Sequence, residues 1–115
     1  MKYELFAADE LAPGSMRAVD VGGISVAVIR TPDGEVHALK NVCSHMGAKL
    51  SDGIVHEAVV ADEVGGYRLS DDFVVRCPWH GFEFSVDTGR CLADARHRAR
   101  AYNVTLERDM IVLER

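Results

Sequence analysis

Short apolar runs, each ended by glycine, proline or aspartate, recur along most of the chain. The most apolar run, residues 24–30, follows a Gly22-Gly23 pair and precedes a Thr-Pro-Asp-Gly turn at residues 31–34. Runs of this length that are rich in β-branched residues and bounded by turn residues are typical of strands. No segment of useful length repeats its apolar residues at a helical period. The pattern therefore predicts an all-β fold.

The rest of the chain repeats this alternation, with a turn between each pair of predicted strands. The predicted strands cover residues 3–8, 16–21, 24–30, 35–39, 54–55, 73–76, 101–107 and 110–113, with a further strand through Phe82 and Phe84. Those two phenylalanines lie on one face of their strand, which predicts core packing. Residues 56–72 are acidic and contain Gly65-Gly66. That segment predicts a hairpin with arms at 58–62 and 66–69.

The composition fits a single domain that spans residues 1–115. Hydrophobic residues make up 48% and charged residues 27% of the chain, an ordinary balance for a globular protein. A chain of this length buries roughly two-thirds of its unfolded surface. No apolar run has the length of a signal peptide or approaches the ~18 residues of a membrane span. We therefore expect a cytoplasmic protein with no membrane partner.

The chain is acidic, with a formal net charge of −5 and a pI near 5.4. Such a surface repels the phosphates of nucleic acid, so nucleic-acid binding is not expected. An acidic protein is instead steered towards a basic patch on a partner protein. The one basic run, residues 90–100, is interpreted as a solvated strand or loop face.

Two short stretches each offer one thiol and one imidazole. Cys43 and His45 have the spacing Cys-x-His, Cys77 and His80 have the spacing Cys-x-x-His, and a glycine follows each pair closely. A glycine at such a place lets the backbone approach a bound group. Cys91 remains as an odd thiol, which fits a reducing compartment.

Two kinds of metal site could use these four ligands. A zinc ion accepts them in a closed tetrahedron, but zinc modules usually pair Cys with Cys and His with His at short spacing. Here each pair is mixed, and residues 46–76 separate the two pairs. Mixed pairs suit a [2Fe-2S] cluster in which one iron takes both thiolates and the other takes both imidazoles. The remaining histidines, His37, His56 and His97, lack a cysteine at motif spacing and are interpreted as strand or loop residues.

The second stretch closely resembles the Rieske ferredoxin family, in the run Cys-Pro-Trp-His-Gly-Phe-Glu-Phe at residues 77–84 and the Asp-Thr-Gly turn at 87–89. The resemblance spans nearly the whole chain. It implies the Rieske fold, a base of antiparallel sheets with a small cluster-binding subdomain of two loops. It also implies one [2Fe-2S] cluster bound by Cys43, His45, Cys77 and His80. In many members the gap between the motifs is shorter, so residues 56–72 are interpreted as an inserted hairpin.

The resemblance implies an electron-transfer component without catalytic residues of its own. The expected role is that of a soluble ferredoxin that carries single electrons from a flavoprotein reductase to the terminal oxygenase of a ring-hydroxylating dioxygenase system. The alternative is the small Rieske subunit of a nitrite reductase or of another multi-subunit oxidoreductase. A zinc-stabilised interaction module is a third reading. The sequence has no glycine-rich nucleotide fingerprint.

Four positions predict a low reduction potential within the family. Rieske proteins of respiratory and photosynthetic chains carry a disulfide between their loops, and serine and tyrosine hydroxyls that donate to the cluster sulfurs. The matching positions here are Ala48, Trp79, Phe82 and Phe84. Hydrogen-bond donors to the sulfurs stabilise the reduced cluster, and fewer of them are expected here. The expected reduction potential is therefore about −150 mV rather than about +300 mV.

Overall fold

Nine antiparallel strands in two sheets account for most of the residues that the computed structural model describes, which are 2–42, 49–61, 67–78, 82–92 and 98–114. The strands are β1 (Lys2–Ala7), β2 (Ser15–Val21), β3 (Ile24–Arg30), β4 (Val36–Lys40), β5 (Ile54–Ala61), β6 (Tyr67–Arg76), β7 (Glu83–Ser85), β8 (Ala101–Glu107) and β9 (Met110–Glu114). Two short 3-10 helices, Ala8–Glu10 and Leu50–Asp52, complete the described elements. The all-β prediction is confirmed.

The larger sheet has six strands in the order β1-β9-β8-β4-β3-β2. Its β2–β3 hairpin turns at Gly22 and Gly23, both at positive φ as the sequence predicted from this pair. The β8–β9 hairpin turns at Arg108 and Asp109, which also have positive φ although neither is glycine. Pairing of β1 with β9 joins the two ends of the described chain.

The smaller sheet has three strands in the order β5-β6-β7. The sequence predicted a strand of only two residues at 54–55, followed by a separate hairpin, but β5 runs without a break to Ala61. The reason is a shift of register between Glu57 and Val59, a bulge that lets pairing with β6 continue past an irregular point. The arms predicted at 58–62 and 66–69 therefore extend β5 and β6. Their interpretation as an insertion stays a prediction.

Strand β3 is buried on both faces, which explains its continuous apolar sequence. Ala27 and Ile29 face a core cluster between the two sheets, which we call the inner core. Val26 and Val28 face a second cluster formed within the larger sheet. The inner core consists of Ala27, Ile29, Leu39, Leu50, Val75, Cys77, Phe84, Val86, Cys91 and Ala99. It draws on both sheets and therefore fixes one against the other.

No helix among the described residues has the length and apolar character needed to cross a bilayer.

Candidate metal centre

Cys77 is the predicted ligand whose position the structure describes. It follows β6 directly, is 1% exposed and belongs to the inner core. Its backbone N–H donates to the carbonyl oxygen of Phe82 at 2.7 Å, which closes the base of the second ligand loop. The other three predicted ligands, Cys43, His45 and His80, lie outside the described residues. A buried thiol at the base of a closed loop is suited to bind a soft metal centre.

Asn41 fixes the base of the first loop, two residues before Cys43. Its side chain is 1% exposed, and its amide nitrogen donates to the hydroxyls of Ser25 at 3.1 Å and Ser51 at 3.0 Å. Its amide oxygen accepts the backbone N–H of Ser51 at 2.8 Å. Because Ser51 follows the loop and Ser25 lies on β3, one buried side chain ties both ends of the first loop to the larger sheet.

Gly53 brings the two loop bases together. A β-carbon built on Gly53 would lie 1.9 Å from the backbone oxygen of Arg76, the residue before Cys77. Only a residue without a side chain permits this approach. The next residue, Ile54, is paired with Arg76 across β5 and β6. The chain that leaves the first loop therefore runs directly against the chain that enters the second.

Glu83 provides a second closure of the ligand loop, on the outer face of the smaller sheet. Its carboxylate lies 3.2 Å from an Arg76 guanidinium nitrogen and 2.6 Å from Nε2 of His56. Arg76 and Glu83 are opposite each other across β6 and β7 and flank the loop at residues 77–82. His56 also donates from Nδ1 to the carbonyl oxygen of Glu57 at 2.7 Å. These contacts engage both ring nitrogens of His56, a residue of β5, in agreement with its interpretation from sequence as a strand residue.

Aromatic packing around Cys77 also follows the prediction. Phe84 is fully buried in the inner core with Cys77, and Phe82 is half-buried and packs against the same cluster. Both side chains are hydrocarbon and therefore shield the thiol without donating a hydrogen bond. Trp79, which follows Pro78 in the second stretch, lies outside the described residues. Cys91 is buried in the inner core, 2% exposed.

Three of these contributors were not found from sequence. Asn41 acts through residues 10 and 16 positions away, so no local motif marks it. Gly53 looks like an ordinary turn glycine, and its close approach depends on the pairing of β5 with β6. Glu83 lies within the recognised run at 77–84, but its two partners come from different strands.

One surface hollow among the described residues does not include Cys77 in its lining. It has a volume of about 600 Å³ and is lined by β4, β8 and the turn after β7, with His37, Phe73, Asp87 and Leu106 among its residues. His37 in this hollow lies 3.3 Å from the Glu35 carboxylate.

The donor set and the burial fit a [2Fe-2S] cluster. Comparison with protein families gives a match to the Rieske [2Fe-2S] domain over residues 1–104. Cholesterol 7-desaturase nvd of Xenopus laevis is 32% identical over 70% of the chain, but the match spans only 15% of that longer protein. The chain thus corresponds to a small part of such relatives.

Two solved structures match nearly end to end. A Mycobacterium tuberculosis protein assigned as an NADH-dependent nitrite reductase small subunit has a TM-score of 0.83 and 31% identity, covering 100% of this chain and 95% of its own. The ferredoxin of carbazole 1,9a-dioxygenase from Nocardioides aromaticivorans IC177 has a TM-score of 0.77 and 31% identity, covering 98% and 96%.

The Asn41 network predicts that Asn41→Ala weakens both the fold and the metal site. The substitution removes the hydrogen-bond partner of the Ser51 N–H and of two hydroxyls. It should lower the free energy of unfolding by about 2–3 kcal/mol. We expect a lower thermal midpoint and faster loss of iron to a chelator, measured by circular dichroism and by absorbance. The matched control is Asn103→Ala, because Asn103 is an exposed residue of β8. Equal effects of the two substitutions would contradict the assigned role.

Proposed function

The chain belongs to the Rieske [2Fe-2S] family, and from this we propose that it carries single electrons from a flavoprotein reductase to the terminal oxygenase of a ring-hydroxylating system. That it is a ferredoxin-type electron carrier with a Rieske-type [2Fe-2S] cluster follows from the family and from its ferredoxin relatives. The observation that best supports the finer role is the likeness to the ferredoxin of carbazole 1,9a-dioxygenase, which is 31% identical over 98% of this chain.

We assign Cys43 and Cys77 as ligands of one iron and His45 and His80 as ligands of the other. The bound cluster supplies one-electron chemistry, since mixed thiolate and imidazole ligation makes reduction easier than in an all-cysteine cluster. The chain's own residues bury the Cys77 thiol, exclude water from it and fix the loop bases through Asn41 and Gly53.

The surface of the smaller sheet supports a carrier that docks transiently. Among the described residues, the exposed large apolar side chains are Val42, Ile54, Leu92 and Leu106. Ile54 is opposite Arg76, and the backbone N–H of Leu92 donates to Glu83, so an ion pair separates the two apolar residues. Transient electron-transfer contacts are small and polar, as this pattern is, whereas a permanent subunit interface needs a large continuous apolar area.

The small subunit of a nitrite reductase is the second candidate. It is favoured by the likeness to the Mycobacterium tuberculosis protein, which covers the whole of this chain. The two candidates differ in the acceptor and in how long the complex lasts.

The first prediction from this proposal concerns the ligands. Cys77→Ser and His80→Asn should each abolish the low-average-g electron paramagnetic resonance signal that the dithionite-reduced protein gives, because each removes one iron ligand. Iron and acid-labile sulfide, two of each per chain in the intact protein, should fall in parallel.

The controls are Cys91→Ser and His37→Asn. Cys91 is buried in the same core as Cys77, so Cys91→Ser matches Cys77→Ser in chemistry and burial. His37→Asn makes the same chemical change as His80→Asn. Both should keep the signal. A variant of a proposed ligand that retains it, or zinc in place of iron in the intact protein, would refute the assignment.

The second prediction is a midpoint potential near about −150 mV, with a one-electron titration. The physical reason is that Phe82 and Phe84 offer no hydroxyl to the cluster sulfurs and so do not stabilise the added negative charge. Potentiometric titration followed by absorbance measures it. A midpoint above zero would show that other donors act on the sulfurs.

The third prediction distinguishes the acceptors. Reduced protein is mixed in a stopped-flow instrument with the oxygenase of a carbazole 1,9a-dioxygenase and, separately, with the large subunit of a nitrite reductase. We expect faster reoxidation by the oxygenase and no stable complex on gel filtration. Faster reoxidation by the nitrite reductase subunit, together with co-elution, would favour the second candidate.

A further inference from the structure

Backbone pairing brings together four cationic side chains from three segments of the chain. They are Lys40 at the end of β4, Arg90 after β7, and Arg98 and Arg100 before β8, and all four are exposed. We call them the basic stripe. For residues 90–100 the sequence favoured a solvated face over a docking site, and nothing in the order of residues connects that run to Lys40.

Backbone pairing places the four side chains on one face. Arg90 and Arg98 form an antiparallel bridge, and the backbone N–H of Lys40 donates to the carbonyl oxygen of Arg100 at 2.7 Å. Residues opposite each other in antiparallel pairing project to the same side, and so do residues two apart in an extended chain. Arg98 and Arg100 accordingly line a common surface hollow.

The basic stripe lies on the exposed side of segments whose neighbouring residues pack in the inner core with Cys77. Leu39, Cys91 and Ala99 are the chain neighbours of the four cations, and all three are buried in the inner core. Cys77 belongs to the same core. The stripe is therefore fixed to the packing around a proposed cluster ligand and is not a feature of a distant edge.

The charges of the stripe are not balanced within the described residues. The two cross-strand pairs, Arg90 with Arg98 and Lys40 with Arg100, each place like charges opposite each other, which destabilises a sheet. No carboxylate in the described part of the chain forms an ion pair with any of the four; Glu83 is engaged by Arg76 and His56. Arg100 contacts the ring of Tyr102, 5.3 Å from its centroid, but this contact adds no negative charge.

Resting on the proposed electron-carrier function, we propose that the basic stripe docks an acidic surface of a protein with which this carrier exchanges electrons. The stripe holds four of the 13 Lys and Arg residues in a chain of net charge −5. Complementary charge at a partner surface relieves the like-charge pairs and orients the encounter. A nucleic acid fits less well, because its long run of phosphates would extend over the acidic remainder of the surface.

The test uses the intact protein with its cluster and fluorescent poly-L-glutamate as a model of an acidic protein surface. At low ionic strength we expect saturable binding by fluorescence anisotropy. The double substitution Arg98→Glu and Arg100→Glu should weaken it about tenfold or more, and added salt should weaken binding to the unchanged protein. The matched control is Arg17→Glu at an exposed residue of β2, which changes the charge by as much as Arg98→Glu alone and is compared with that single substitution.

Each outcome bears on the proposal. Absence of binding, or equal weakening by Arg17→Glu and by the stripe substitutions, overturns it. Tighter binding of a fluorescent DNA duplex than of poly-L-glutamate, lost with the stripe substitutions, overturns it in favour of a nucleic-acid site. The resonance signal and the midpoint of every variant are measured on the same samples. If the cluster is intact and titrates with one electron, but the stripe substitutions do not change binding, only this inference is refuted. If the unchanged protein shows no redox activity, the proposed function is refuted.

Discussion

Burial of Cys77 in a core shared by both sheets is the constraint on which the rest of the structure depends. Ala27 and Leu39 reach this core from the larger sheet, and Val75 and Phe84 reach it from the smaller one. Protein interiors are close-packed, so a side chain in such a core has one position and little room to move. The contacts that join the sheets are therefore the contacts that place the thiol.

The loops depend on the same principle at their bases. Asn41 ties the first loop to β3, Gly53 brings its exit against Arg76, and Glu83 flanks the second loop. One of these links is a buried hydrogen-bond network, one is a backbone contact and one is a partly exposed ion pair. A change of a few atoms disrupts the first two. A buried polar group that loses its partner cannot form a hydrogen bond to water instead, and a β-carbon at Gly53 would clash with the backbone. The ion pair is weaker, since half of the Arg76 side chain is exposed to screening water.

The sequence predicted what depends on local pattern and on ligand chemistry. It identified β3 from its apolar residues, the hairpin at Gly22-Gly23 and the burial of Phe84, because these follow from side-chain alternation and turn chemistry. It did not identify the full length of β5, because the register of β5 with β6 shifts between Glu57 and Val59 and the pairing nevertheless continues past this bulge. It also missed Asn41 and the alignment of Lys40 with Arg100. Both depend on which strands are neighbours, and that information appears only once the register of the sheets is fixed.

Net charge alone is a poor guide to how this carrier meets its partners. At physiological ionic strength, interactions between exposed charges are screened beyond about 8 Å, so a docking partner responds to the local pattern of charge more than to the total of −5. Lys40, Arg90, Arg98 and Arg100 form such a local pattern, opposite in sign to the chain as a whole. Exposed charges accelerate association while adding little to the lifetime of a complex. A carrier that must leave each partner after one electron is served better by such a surface than by a buried apolar interface.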